Sequence, residues 1–115
     1  MKKLFGTGVA LVTPMHEDGT LDFDSLDKMV RHTSAADYLV VMGTTGESVT
    51  LSKDEKGEIL DRVLARTRGS VPVVYGIGGN NTASVIAELD AFRKKGVSAI
   101  LSVSPYYNKP SQEGI

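Results

Sequence analysis

Four short runs of apolar, mostly β-branched residues punctuate the chain: Val9-Ala10-Leu11-Val12, residues 38–42 (Tyr-Leu-Val-Val-Met), Val71-Pro72-Val73-Val74-Tyr75 and Ala99-Ile100-Leu101-Ser102-Val103. None alternates apolar with polar positions, so each reads as a strand buried on both faces, as in a parallel sheet. The stretches between them carry helical spacing instead. The first starts near Asp22 and sets Leu26, Met29 and Val30 on one face. The second opens on a capping box, Ser52-x-x-Glu55, continues through Ile59, Leu60, Val63 and Leu64, and stops at Gly69. The third runs from about Thr82, with Val85, Ile86, Leu89 and Phe92 inward, to Lys94-Lys95-Gly96. Cations followed by glycine suit a helix C-terminus.

The resulting order is β-α-β-α-β-α-β, with one unit about every 30 residues, the size of a βαβ crossover. Two architectures fit: a doubly wound open sheet, or part of a (β/α)8 barrel. The unusual chemistry sits in the segments that follow strands: Thr13-Pro14, Gly43-Thr44-Thr45-Gly46-Glu47-Ser48, Gly76-Ile77-Gly78-Gly79-Asn80-Asn81, and residues 104–110 (Ser-Pro-Tyr-Tyr-Asn-Lys-Pro). The segments that precede strands, such as Gly69-Ser70 and Gly96-Val97, are plain turns. Parallel α/β proteins bind ligands at the C-terminal ends of their strands, so all four candidate segments share the productive side.

Composition removes several classes. At 115 residues the chain is one domain at most, and 41% hydrophobic content suits a globular protein. A formal charge of −1 and no basic stripe argue against a nucleic-acid partner. Without cysteine there are no disulfides or thiolate metal sites. The start, Met1-Lys2-Lys3-Leu4-Phe5-Gly6, has a signal peptide's basic opening, but the following apolar stretch is short and ends in Thr13-Pro14-Met15-His16-Glu17-Asp18. It reads as a first strand and the protein as cytoplasmic. No run approaches the roughly 20 apolar residues of a membrane helix.

The turn at residues 43–48 carries the strongest local signal. Two glycines bracketing Thr44 and Thr45 at a strand's end let the backbone approach a ligand, with N–H groups and hydroxyls aimed at a carboxylate. Glu47 reads as a structural residue that accepts backbone N–H bonds, ahead of a general acid/base. In Tyr106-Tyr107-Asn108-Lys109-Pro110, adjacent tyrosines point different ways, so one packs and the other presents a phenol able to pass protons with a threonine hydroxyl. Lys109, before a proline in an extended loop, reads as solvated and a poor Schiff-base nucleophile. Gly76-x-Gly78-Gly79 fails the dinucleotide spacing, because Asn81 stands where the third glycine belongs. His16 and His32 read as solvated, and no metal site is expected.

Taken together, Val-Thr13-Pro14, Gly43-Thr-Thr-Gly-Glu-Ser48-x-Thr-Leu51, Gly76-x-Gly-x-Asn80-x-Thr82 and Pro105-Tyr-Tyr-Asn-Lys-Pro-Ser-Gln-Glu-Gly114 resemble the dihydrodipicolinate synthase family of pyruvate-dependent class I aldolases. The motifs keep that family's order and spacing from near residue 5 to the end. The resemblance implies that residues 1–115 are the N-terminal half of one (β/α)8 TIM-barrel catalytic domain, about four strands and three helices. It implies Schiff-base condensation of pyruvate with aspartate semialdehyde, on the diaminopimelate route to lysine. Catalysis then needs no separate cofactor, because the imine forms on a lysine outside this chain. Thr44 and Thr45 match the threonines that hold the pyruvate carboxylate and join a proton relay. Tyr107 matches the relay tyrosine that crosses a tight dimer interface, and a homo-oligomer, dimer or tetramer, is expected.

Three further expectations follow from the resemblance. A barrel needs about 250 residues, so the 115 residues alone are expected to be inactive, with open strand edges and an unmatched interior. The turn Thr33-Ser34-Ala35-Ala36-Asp37 lacks the family's usual glycine, and the segment from Pro14 to Gly43 reads a couple of residues short. The family's effector site falls on Ser48, Lys53, Lys56, Asn80, Ser84 and Tyr106, where added cations and a lost carboxylate disfavour a cationic effector such as lysine. The alternatives are another pyruvate-dependent lyase, for a sialic acid or keto-deoxy sugar, and, more distantly, a non-enzymatic flavodoxin-like binding domain.

Overall fold

A computed structural model describes residues 4–115; the basic opening, residues 1–3, lies outside them. Four parallel strands, β1 (Gly8–Ala10), β2 (Tyr38–Val41), β3 (Val73–Gly76) and β4 (Val97–Leu101), pair in chain order β1-β2-β3-β4. Helices α1 (Phe23–Thr33), α2 (Lys53–Thr67) and α3 (Thr82–Ala91) fill the crossovers. This order decides between the two architectures. Right-handed crossovers that always add the next strand on the same side place every helix on one face, as in a barrel. A doubly wound or flavodoxin-like sheet needs a reversal of strand order, and the four strands among the described residues show none.

Helix starts follow their caps. Asp22 accepts the Ser25 N–H at 2.9 Å, Ser52 and Glu55 form the reciprocal capping box, and Asn81 accepts the Ser84 N–H at 3.1 Å. Helix α2 ends as its sequence predicts, with Arg68 left-handed and Gly69 at φ 75. Helix α3 does not: it stops at Ala91, short of Lys94-Lys95-Gly96. Phe92 leaves the helix in an extended conformation and stacks on Tyr75 of β3, ring centroids 5.3 Å apart. Lys94 instead pairs with Asp61 of α2 at 2.6 Å. Val85 and Phe92 pack on the core as expected, but Ile86 and Leu89 are exposed, because no element among the described residues covers that side of α3.

The core lies between the sheet and helices α1 and α2. Leu39, Val41, Val73 and Tyr75 meet Leu26, Val30, Ile59, Leu60 and Val63 there, all buried. Asp27 of α1 receives Arg62 of α2 in two 2.8 Å bonds and Arg66 at 2.6 Å, which ties the two helices across their seam. The expectation that every strand is buried on both faces holds for β3, where Val73, Val74 and Tyr75 are all buried, and is corrected for the other three. The row facing away from the helices, Ala10–Val40–Val74–Ala99 by register, meets no second layer, and Ala10 is exposed while Val40 and Ala99 are half-buried. That row is the concave side of a barrel wall.

The turn without a glycine closes by another route. Ser34 stays right-handed and its hydroxyl donates to the Arg31 carbonyl at 2.8 Å. Gly6 lies against this turn at φ 91, where a β-carbon would strike the Asp37 carboxylate. That carboxylate accepts the Thr7 N–H at 2.7 Å. No helix among the described residues is long and apolar enough to cross a membrane.

Candidate functional site

Because the strands are parallel and adjacent in chain order, the loops leaving their C-terminal ends lie side by side, and close backbone approach locks them together. After β2 the chain turns at Met42 with φ 60. The Met42 carbonyl then passes over Gly76, where a β-carbon would collide with it. A β-carbon on Gly78 would come within 3.2 Å of Val103 in the next loop. Gly76, at the end of β3, and Gly78 just after it therefore allow close packing against the neighbouring loops.

Thr44–Gly46 forms one turn of 3-10 helix at the end of β2. The Gly46 N–H donates to Gly43 at 3.1 Å and the Glu47 N–H donates to Thr44 at 3.0 Å. The buried Thr13 hydroxyl, from the loop after β1, donates to the Gly46 carbonyl at 2.6 Å and pins the turn from beneath. Thr44 and Thr45 are exposed, and their own N–H groups have no hydrogen-bond partner among the described residues. The role expected of Glu47 is corrected: its exposed carboxylate accepts no hydrogen bond among the described residues. Its backbone holds the loop instead, left-handed at φ 56, with its carbonyl accepting both the N–H and the hydroxyl of Thr50 at 2.9 Å.

A groove of about 340 Å³ opens between the loops after β2, β3 and β4. Met42, Ile77, Leu101 and Val103 form its apolar wall, and Thr44, Ser48, Lys56, Glu88 and Tyr106 its polar one. A second groove of about 510 Å³ lies between α2 and α3, rimmed by Lys53, Lys56, Ser84, Glu88 and Arg93. The residues expected to form one effector site fall along both grooves, which share Lys56. Ser48, Lys56 and Tyr106 border the first groove, Lys53, Lys56 and Ser84 the second, and Asn80 borders neither. Asn80 makes two hydrogen bonds to the backbone of Tyr106, which itself borders the first groove. Lys56 and Glu88 face both grooves, and the reading of the sequence missed Glu88 because nothing in its local pattern separates it from a solvated helix position.

Thr44 and Thr45 are neighbours on one turn, with Thr44 at the groove and Thr45 outside its lining; Tyr107, 94% exposed, also lies outside the groove. Lys109 is exposed, as expected. Tyr75 is the buried phenol; burial, with a smaller contribution from Glu88, pushes its pKa up to about 12, which suits a packing residue. His16 and His32 are exposed, and among the described residues no three potential ligands come together to hold a metal.

The loops and their order along the sheet have close counterparts. The model of the dihydrodipicolinate synthetase family matches residues 3–115. The chain belongs to that family. Among dihydrodipicolinate synthetase relatives, the 4-hydroxy-tetrahydrodipicolinate synthase of Parabacteroides distasonis is 52% identical over 114 residues, covering 97% of this chain and 38% of the relative. That of Cytophaga hutchinsonii is 50% identical over 117 residues, covering all of this chain and 39% of the relative. The structure of the Acinetobacter baumannii dihydrodipicolinate synthase, complexed with pyruvate, superposes with a TM-score of 0.88 at 38% identity, over 97% of this chain and 39% of that one. The chain spans about two-fifths of the length of these dihydrodipicolinate synthetase relatives, and its fold is the N-terminal portion of their (β/α)8 barrel.

Proposed function

We propose that these residues are the front of a 4-hydroxy-tetrahydrodipicolinate synthase, which condenses pyruvate with aspartate semialdehyde in the cytoplasm. In this reading residues 1–115 supply the first half of one catalytic barrel, and a later segment brings the imine-forming lysine. The observation that carries it is the Thr44–Gly46 turn, pinned by Thr13, which presents two exposed hydroxyls and two N–H donors at the C-terminal edge of the sheet. A carboxylate needs such donors, and an imine needs a proton shuttle. Thr44 and Thr45 would hold the pyruvate carboxylate and pass protons with Tyr107. The near-complete exposure of Tyr107 supports its reaching into the site of a second subunit, hence a homo-oligomer. Lysine is the only covalent carrier required, without metal or organic cofactor. The cationic rim of Lys53 and Lys56 supports weak or absent inhibition by lysine.

The test is borohydride reduction of a barrel-length enzyme carrying these residues in the presence of pyruvate, followed by peptide mapping and an assay with aspartate semialdehyde. The expected adduct falls on a lysine beyond residue 115, with turnover of aspartate semialdehyde, and the 115-residue chain alone stays unmodified and inactive. An adduct on Lys109, or cleavage of an acidic sugar without semialdehyde turnover, would overturn the reading.

A further inference from the structure

We propose that Asn80 is a positioning residue for Tyr107, acting through the backbone of Tyr106; this rests on the synthase reading of Tyr107. The Asn80 amide makes two bonds to one residue: its Nδ2–H donates to the Tyr106 carbonyl at 3.1 Å, and its Oδ1 accepts the Tyr106 N–H at 2.8 Å. A side chain thus stands where a neighbouring strand's backbone would. The same Tyr106 carbonyl accepts the Asn108 N–H at 2.9 Å, closing a three-residue turn around Tyr107, whose φ is 72. That hand of γ-turn is rare and strained, and a bulky residue keeps a positive φ only where its surroundings over-determine it.

The clasp supplies that constraint. Tyr106 has both of its backbone hydrogen-bonding groups fixed, so the turn cannot relax by rotating the peptide before Tyr107. Asn80 is itself held. Gly78 packs against Val103, and the next residue, Asn81, caps α3 through the Ser84 N–H at 3.1 Å. Only a short side chain with one donor and one acceptor on a planar head makes both bonds: aspartate lacks the donor and alanine lacks both. Asn80 does not border the groove and its hydrogen bonds go to the Tyr106 backbone, so its effect reaches the relay through the loop it holds.

The decisive experiment compares Asn80→Ala, Asn80→Asp, Tyr107→Phe and the Asn80→Ala/Tyr107→Phe double variant in the barrel-length enzyme, with kcat, the KM for pyruvate and a crystal structure of Asn80→Ala. Misplacing one relay group is expected to lower kcat of Asn80→Ala by about 100-fold with little change in KM. Asn80→Asp, which keeps the acceptor, should fall between. In the Tyr107→Phe background the Asn80→Ala change should cost less than about 2-fold, because the group it positions is already gone. In the crystal, residue 107 should return to negative φ. Multiplicative losses in the double variant, or an unchanged φ at residue 107, would overturn the assignment. If the wild-type enzyme shows no turnover, the synthase reading fails, and the φ of residue 107 in Asn80→Ala still decides the clasp.

Discussion

The two faces of the sheet carry nearly the same kind of residue and are covered to different degrees. Val9, Leu39, Val73 and Val97, one row by register, pack into the core under α1 and α2. Ala10, Val40, Val74 and Ala99, the next row, have no helix layer over them: Ala10 is exposed, Val40 and Ala99 are half-buried, and Val74 is buried. A continuous apolar run states only that both faces of a strand want cover. It does not say which element supplies it. The helix side is sealed by partners that follow within the same βαβ unit, whereas the concave side of a barrel is filled by strands from around the whole ring.

The largest effect should come from the sealed face. Leu39 is 0% exposed, and Leu39→Ala in this chain should lower unfolding stability by about 2–5 kcal/mol in denaturant titration. Val40→Ala, one residue along and half-buried, should cost about 1 kcal/mol. Equal costs would mean that the concave side is covered in solution, and sedimentation would then show association. Thr13→Val sharpens the comparison at the site end. It strips the buried Gly46 carbonyl of its 2.6 Å donor, for about 1–3 kcal/mol of stability. It should also raise the KM for pyruvate in the barrel-length enzyme.

The smallest effect belongs to the helix seam. The Arg62 hydrogen bonds, then those of Arg66, hold the Asp27 carboxyl well below the usual carboxylate range. A lowered native pKa means that the pair contributes fully above pH about 5 and fades as pH falls through 4 and below. Asp27→Asn should therefore cost about 1 kcal/mol at pH 7, since both arginines are partly exposed, and the cost should decline steadily as pH falls below about 4, with part of it still present at pH 2. A flat pH dependence of that difference would show that the seam gains nothing from the charge.

Local chemistry was legible in the sequence and long-range chemistry was not. Ser52 and Glu55 sit three residues apart, so their cap can be read off nearby letters. The end of α3 could not be read that way, because Phe92 leaves the helix for Tyr75, a partner on another strand. The Thr44-Thr45 turn was recognised from its own glycines, while the residue that pins it, Thr13, lies 33 positions away. Asn80 and Tyr106 are separated by 26 positions, and their clasp exists only because β3 and β4 are neighbours.

The strand order also bears on how the polypeptide is made. Paired residues sit at positions 8 and 38, 39 and 73, and 74 and 99, so each strand docks on the one finished a single unit before it. At a synthesis rate of about 5–20 residues per second, every new strand emerges a few seconds after its template and never waits for a distant one. The sheet can assemble in the order in which it is translated, like courses laid on a wall, each finished edge serving as the footing for the next.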